Sequence, residues 1–150
     1  MTYRISAKGI LEKNNSILFI EYSDSKGIYY ALPGGKHEPG ESLAEAVVRE
    51  FKEETSFDVS ADRVVMIREF IIKQPDVEVW QGGIHQIETI FACRLNDENQ
   101  EQGIPTLPDI DMLGLKWINK SDLKNYRVYP TNELAEILES GQIKYIFSRD

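Results

Sequence analysis

Between Ser42 and Glu54 the chain commits itself to an amphipathic helix, and this stretch limits its folding choices more than any other. Ala44, Val47, Val48 and Phe51 recur at i, i+3, i+4 and i+7, which lays one apolar stripe along a helix of 3.6 residues per turn. Ser42 followed three residues later by Glu45 forms a capping box, in which each side chain satisfies a backbone NH that the first turn would otherwise leave orphaned. Such a helix needs an apolar surface to lie on. The rest of the chain offers strands.

Tyr3 to Glu12 and Ser16 to Tyr22 are β-rich runs joined through Asn14-Asn15, a pair that tolerates the positive φ of a tight hairpin. A third run, Ile28 to Leu32, leads into the loop Pro33-Gly34-Gly35. Strands are predicted at Arg63 to Lys73 and Ile84 to Leu95, separated by a polar loop with Pro75, Gly82 and Gly83. A long loop, Asn96 to Gly114, contains Pro105 and Pro108. A short strand Leu115 to Asn119, a helix from about Thr131 to Ser140 closed by Gly141, and a strand Ile143 to Phe147 follow. The pattern predicts an α+β fold, one domain over residues 1–150, with a mixed sheet and a helix packed on each face.

Length allows a core without disulfides: 150 residues, 41% of them apolar, suffice for one ordinary domain. The single cysteine, Cys93, lies in an apolar run and reads as a buried, inert thiol. Neither a leader-like apolar segment nor a membrane-length run is found, so a cytoplasmic protein with no membrane partner is expected. A net charge of -8 repels nucleic-acid backbones, and an anionic substrate would need cations at its site.

The chemistry concentrates on the Ser42 to Glu54 helix. Glu50, Glu53 and Glu54 fall within about 100° of arc and repel one another, each such pair costing roughly 0.2 to 0.5 kcal/mol. Arg49, four residues from both Glu45 and Glu53, can hold a carboxylate in a fixed rotamer. A solvated helix face is the bland reading of three acids. Two features oppose it here: the glycines of Pro33-Gly34-Gly35, which permit close backbone approach, and Glu41 just ahead of the cap. Mg²⁺ seeks such oxygen ligands and keeps positions for water and phosphate.

The run Gly35, Glu41, Arg49-Glu50-Phe51, Glu53-Glu54 and Phe57 resembles the Nudix box: Gly, five residues, Glu, seven residues, Arg-Glu, an apolar residue, any residue, Glu-Glu, any residue, Gly, an apolar residue. One position departs, Ser56 standing where the family has Gly, at the point where the helix should end in an αL conformation. Leu32-Pro33-Gly34 ahead of the box and Trp117 in a late strand are also similar to the family. The resemblance implies an α/β/α sandwich that hydrolyses a nucleoside diphosphate linked to another moiety, with Mg²⁺ or Mn²⁺ as cofactor. It implies that Glu50, Glu53 and Glu54 bind metal with the backbone carbonyl of Gly34, that Arg49 orients them and that Glu41 supports from behind. A small-molecule nucleotide is the implied partner, to a monomer or homodimer. The alternative is a catalytically silent nucleotide-sensing domain of the same fold.

Further candidates stay open at this point. Asp109 or Asp111 could add an acidic ligand from the loop before the Trp-bearing strand, or be solvated loop acids. Glu88 could face the site or solvent, and His85 reads as a hydrogen-bonded surface or core residue. Tyr29, Tyr30 and Trp80 could stack on a base or pack as strand aromatics. Pro75, 18 residues past Phe57, resembles a residue found in family members acting on ADP-ribose or dinucleoside polyphosphates, and has an ordinary explanation as a turn former.

Overall fold

The Asn14-Asn15 pair does turn the chain, both residues holding positive φ, in a computed structural model that describes residues 1–73, 82–105 and 111–150. Strands β1 (Thr2–Lys13) and β2 (Ser16–Asp24) pair only at the hairpin, through Glu12 with Ile17 and Lys13 with Ser16. They then part. β1 runs parallel to β6 (Ile84–Leu95), which lies antiparallel to β5 (Val59–Ile72), and β5 carries β9 (Lys144–Arg149) on its outer edge. β2 pairs instead with β3 (Gly27–Ala31) and β7 (Gly114–Asn119), and β3 with the short β8 (Val128–Tyr129). The outcome is the expected mixed sheet, in the order β8-β3-β2-β1-β6-β5-β9, opened into two wings at the β1/β2 corner.

Alternation along the strands divides the core in two. Ala7 and Leu11 of β1 with Phe91 and Cys93 of β6 face α1 (Leu43–Thr55), whose Ala46, Val47 and Phe51 close over them. Ile10 and Ile90 face the other way, toward a 3-10 helix (Lys120–Asn125) through Leu123 and toward α2 (Leu134–Ser140) through Leu134 and Ile137. Burying Val47 and Phe51 contributes about 2 kcal/mol each toward holding α1 in place. A helix thus lies on each face, and Cys93 is buried as expected, its thiol pushed up to about 12 by burial. Among the described residues no helix is long and apolar enough to cross a membrane.

Several local expectations need correction. Val48 is exposed and Ala46 takes its place in the stripe, because α1 leans on β1 through the Val47/Phe51 row. Gly34–Lys36, read as loop, is a strand, β4, antiparallel to β1 at Ser6 to Lys8. It fills the edge that β1 leaves open where β2 diverges, and a main-chain ladder needs no side chains to form. β5 begins at Val59 and not Arg63, with register shifts around Ala61/Arg63 and Val64/Met66 that interrupt the alternation. The 3-10 helix and β8 carry no clear sequence signal, and α2 starts at Leu134, past the predicted Thr131, ending as expected at Gly141, which is left-handed.

Candidate active site

The capping box forms, Ser42 Oγ accepting from Glu45 N at 3.0 Å and Glu45 Oε1 from Ser42 N at 3.4 Å, and this fixes which way α1 faces. With its carboxylate used there, Glu45 is not the partner of Arg49. The guanidinium grips Glu41 at two points, Nε to Oε2 at 3.0 Å and Nη2 to Oε1 at 2.8 Å. Its Nη1 also donates to Glu50 at 3.1 Å and to Glu53 at 3.3 Å. One cation therefore hydrogen-bonds three carboxylates, with the exposed Glu38 a fourth at 3.9 Å, and Glu41 is held far below the usual range, at about 2, chiefly by its hydrogen bond from Arg49. Burial pushes Glu50 the other way, upward, against the pull of Arg49.

The two glycines that meet these acids do so in different ways. A Cβ on Gly35 would lie 2.8 Å from Glu50 Oε1, so the carboxylate occupies the space a side chain would take. Gly34 has φ +143° and lies so close to β1 that a Cβ would sit 2.3 Å from the carbonyl oxygen of Ala7. Its N–H donates to Oε1 of the buried Glu54 at 2.9 Å. Among the described residues no three Asp, Glu, His or Cys side chains converge as a ready cation cage. The donor set nonetheless suits a hard divalent ion: all its donors are oxygens, and one guanidinium faces Glu41, Glu50 and Glu53 with Glu54 close by.

Gly34 and Gly35 also line a cavity of about 360 Å³ between the two wings of the sheet. Its floor is the face of β1, β6 and β5 that continues from the α2 core, where the side chains turn polar. Cross-strand partners Ser6, Glu88 and Arg68 form one row, and Arg4, Gln86 and Phe70 the next. Lys8 flanks Gly34. Glu88 is 3% exposed, accepting from Arg68 Nη1 at 3.1 Å and Gln86 Nε2 at 3.0 Å, with Lys8 Nζ at 3.7 Å. Tyr22, Tyr29 and Tyr129 form the opposite wall, Tyr22 stacked on Tyr29 and Tyr129 edge-on to it. Among the described residues, three cations, Arg4, Lys8 and Arg68, thus line the cavity against two carboxylates, Glu88 and Asp111, in a chain of net charge -8. A cavity of about 410 Å³ beyond the end of α1, among Lys13, Phe57, Gln100 and Trp117, does not reach Gly34 or Gly35.

The structure therefore brings Glu41, Arg49, Glu50 and Glu53 into one hydrogen-bonded group and joins Glu54 to Gly34. Glu88 and Asp111 line the cavity, Asp111 exposed at its rim. Asp109, Pro75 and Trp80 lie outside the described residues. Tyr29 faces the cavity, whereas Tyr30, next along the strand, is core, its hydroxyl on Glu21 at 2.9 Å and pushed up to about 12 by burial. His85 pairs with Glu69 at 2.7 Å, on the sheet face opposite the cavity floor. Sequence reasoning missed Arg4, Lys8, Arg68, Tyr22 and Tyr129. Only their alternation with apolar neighbours hinted at a shared face, and that hint needs the β1/β6/β5 register to be read.

Residues 2–141 match the model of a family described as NUDIX domain. The chain is 53% identical over 53 residues to an ADP-ribose pyrophosphatase of Methanocaldococcus jannaschii, a stretch covering 34% of this chain and 31% of that protein. It is 25% identical over 134 residues, 89% of this chain and 77% of the relative, to an uncharacterised Nudix hydrolase of Bacillus subtilis. A crystal structure of an ADP-ribose pyrophosphatase from Streptococcus suis superposes with a TM-score of 0.62 at 24% identity, over 95% of this chain and 98% of that one, which supports the fold. The match to the first of these relatives spans about a third of its length.

Proposed function

The chain belongs to the Nudix family, and from that premise we propose that it is a Mg²⁺- or Mn²⁺-dependent hydrolase of a diphosphate bond in a nucleoside diphosphate linked to another moiety. One observation carries this reading: an acid-rich helix and a cation-lined, aromatic-walled cavity meet at Gly34 and Gly35. Glu50, Glu53, Glu54 and the Gly34 carbonyl would hold the metal, which supplies neutralisation of the diphosphate oxygens and a more acidic water. Arg49, anchored on Glu41, aims Glu50 and Glu53. Water attacks phosphorus, the P–O bond of the anhydride breaks, two phosphate products leave, and a helix carboxylate takes the water's proton. Tyr22, Tyr29 and Tyr129 give a base or sugar a flat surface.

The name of the Methanocaldococcus relative favours an ADP-ribose-like substrate over a nucleoside triphosphate. Assaying release of phosphate, pyrophosphate and nucleoside monophosphate across ADP-ribose, nucleoside triphosphates, sugar nucleotides and dinucleotides tests the proposal. AMP from ADP-ribose, dependent on divalent metal, is expected. Binding without turnover of any substrate would favour the nucleotide-sensing alternative, which the complete set of Glu50, Glu53 and Glu54 argues against.

A further inference from the structure

We propose that Glu88 is a positioning residue that holds Lys8 and Arg68 as a pair of cations gripping the diphosphate of the nucleotide. The inference rests on the proposed substrate class but concerns a part of the cavity that the metal chemistry leaves unused. Glu88 is buried, on the one strand that lies between β1 and β5, so both cations reach it from either side. One carboxylate oxygen takes Arg68 Nη1 at 3.1 Å, and the other faces Lys8 Nζ at 3.7 Å. Gln86 Nε2 bridges that second oxygen to Ser6 Oγ, at 3.0 and 3.1 Å.

Every oxygen of Glu88 therefore already has a cation or an amide on it, which is the environment of an anchor and not of a side chain waiting for a metal. Arg68 is restrained on a second side as well, its guanidinium 4.6 Å from the centre of the Phe70 ring. A guanidinium whose rotamer is fixed loses little freedom on meeting a phosphate, and its planar fork matches two non-bridging oxygens. Two cations on one carboxylate leave a positive excess facing the cavity. Lys8 lies beside Gly34 in the ladder, next to the residue whose N–H holds Glu54. A diphosphate bridging the two halves of the site would meet Lys8 and Arg68 on one side and the α1 acids on the other.

The test compares wild type with Glu88→Gln, Arg68→Ala and Arg68→Lys. Steady-state kinetics, the Mn²⁺ concentration for half-activation, and calorimetric binding of ADP in EDTA are measured for each. Glu88→Gln keeps shape and one acceptor but releases both cations, so KM should rise and metal-free ADP binding weaken, each by about tenfold. Within the same variant kcat should stay within about threefold and half-activation by Mn²⁺ should not move, because α1 is untouched. Arg68→Ala should weaken ADP binding at least as much, Arg68→Lys should recover part of it, and adding Glu88→Gln to Arg68→Ala should cost less than in wild type. A fall in kcat with KM unchanged and a shifted Mn²⁺ requirement would overturn the proposal and make Glu88 a ligand or a base. Unaltered ADP binding in both Glu88→Gln and Arg68→Ala would overturn it too, and if Glu88→Gln does not fold, unaltered binding in Arg68→Ala alone does so. Failure of the broader reading looks different: wild type would then turn over no nucleotide diphosphate at all.

Discussion

The acid half of the site and its cation half are built by opposite means. Glu41, Arg49, Glu50, Glu53 and Glu54 sit within a short run whose geometry follows from one capped helix and the glycines beside it. Arg4, Lys8, Arg68, Gln86 and Glu88 come from three strands spread over most of the chain, and they meet only because β1 lies parallel to β6 and β6 antiparallel to β5. The first half is local and rigid by helix periodicity. The second depends on register, where a slip of one residue would turn each of these side chains to the opposite face. Net charge describes neither half, since a chain at -8 builds a cavity that, among the described residues, is lined by more cations than acids.

Neutralising Glu53 or Glu54 in the local half should have the largest effect on rate and almost none on folding. Glu53→Gln or Glu54→Gln is expected to lower kcat by roughly a hundredfold or more, since a charge at the reacting centre is lost. Glutamine at 54 can still accept from Gly34 N, and relief of repulsion along α1 offsets lost packing, so the melting temperature in EDTA should hold or rise slightly. Near wild-type turnover at saturating metal would remove α1 from the reaction and break the division between the halves.

Arg49→Lys sharpens the same point one step back. Lysine keeps the charge but cannot span both oxygens of Glu41 while touching Glu50 and Glu53, so a loss of about 10- to 100-fold in kcat is expected. A pH effect accompanies it. The folded pKa of Glu41, about 2, lies below its ordinary 4.5, so the ion pair stabilises the fold fully above 4.5 and is lost as pH falls toward 2. Arg49→Met should therefore move the acid unfolding midpoint upward, as followed by circular dichroism. An unchanged midpoint would mean that the pair orients the site without stabilising the fold.

The same contrast explains what could be read in advance. The capping box, the αL residue at 56, the acid cluster and the turn at Asn14-Asn15 are legible in the sequence because each is decided by residues within one or two turns of chain. Of the partners of Arg49, Glu53 follows from the i, i+4 spacing, whereas Glu41 is not legible: the same spacing also points to Glu45, but the capping box engages that carboxylate and the chain before the cap brings Glu41 closer. β4 escapes notice because its pairing belongs to the open edge of β1 and leaves no trace in Gly34-Gly35. The cation wall is invisible for the same reason on a larger scale: nothing near Lys8 announces that Arg68 and Glu88 will stand beside it.

The two glycines separate structure from activity at the seam between the halves. Gly34→Ala forces a side chain into positive φ and against the Ala7 carbonyl, at a cost of about 2 kcal/mol or more. Gly35→Ala meets only the movable head of Glu50, so the fold should survive while kcat falls about tenfold through the displaced carboxylate. Denaturant melts and kinetics on the pair check this, and equal stability losses would show that Gly35 serves the ladder and not Glu50.

The smallest effect is expected where the chain departs from its family. Ser56 closes α1 at φ +66°, a conformation in which a residue with a Cβ is strained by about 1 kcal/mol. Its hydroxyl compensates by accepting from Gly103 N at 2.7 Å, fastening the loop that follows β6 to the end of α1. An exposed hydrogen bond of this kind contributes about 0.5 to 1.5 kcal/mol. Ser56→Gly removes strain and bond together, so its stability should fall within about 0.5 kcal/mol of wild type. Ser56→Ala keeps the strain and loses the bond, and should be less stable by about 1 kcal/mol. The difference between the two variants in urea midpoint isolates the conformational term from the loop contact. A Ser56→Gly variant more stable than wild type by over about 1 kcal/mol would mean that the bond from Gly103 adds nothing. A large loss of activity at unchanged stability would instead tie the loop around Gly103 to the acid half of the site.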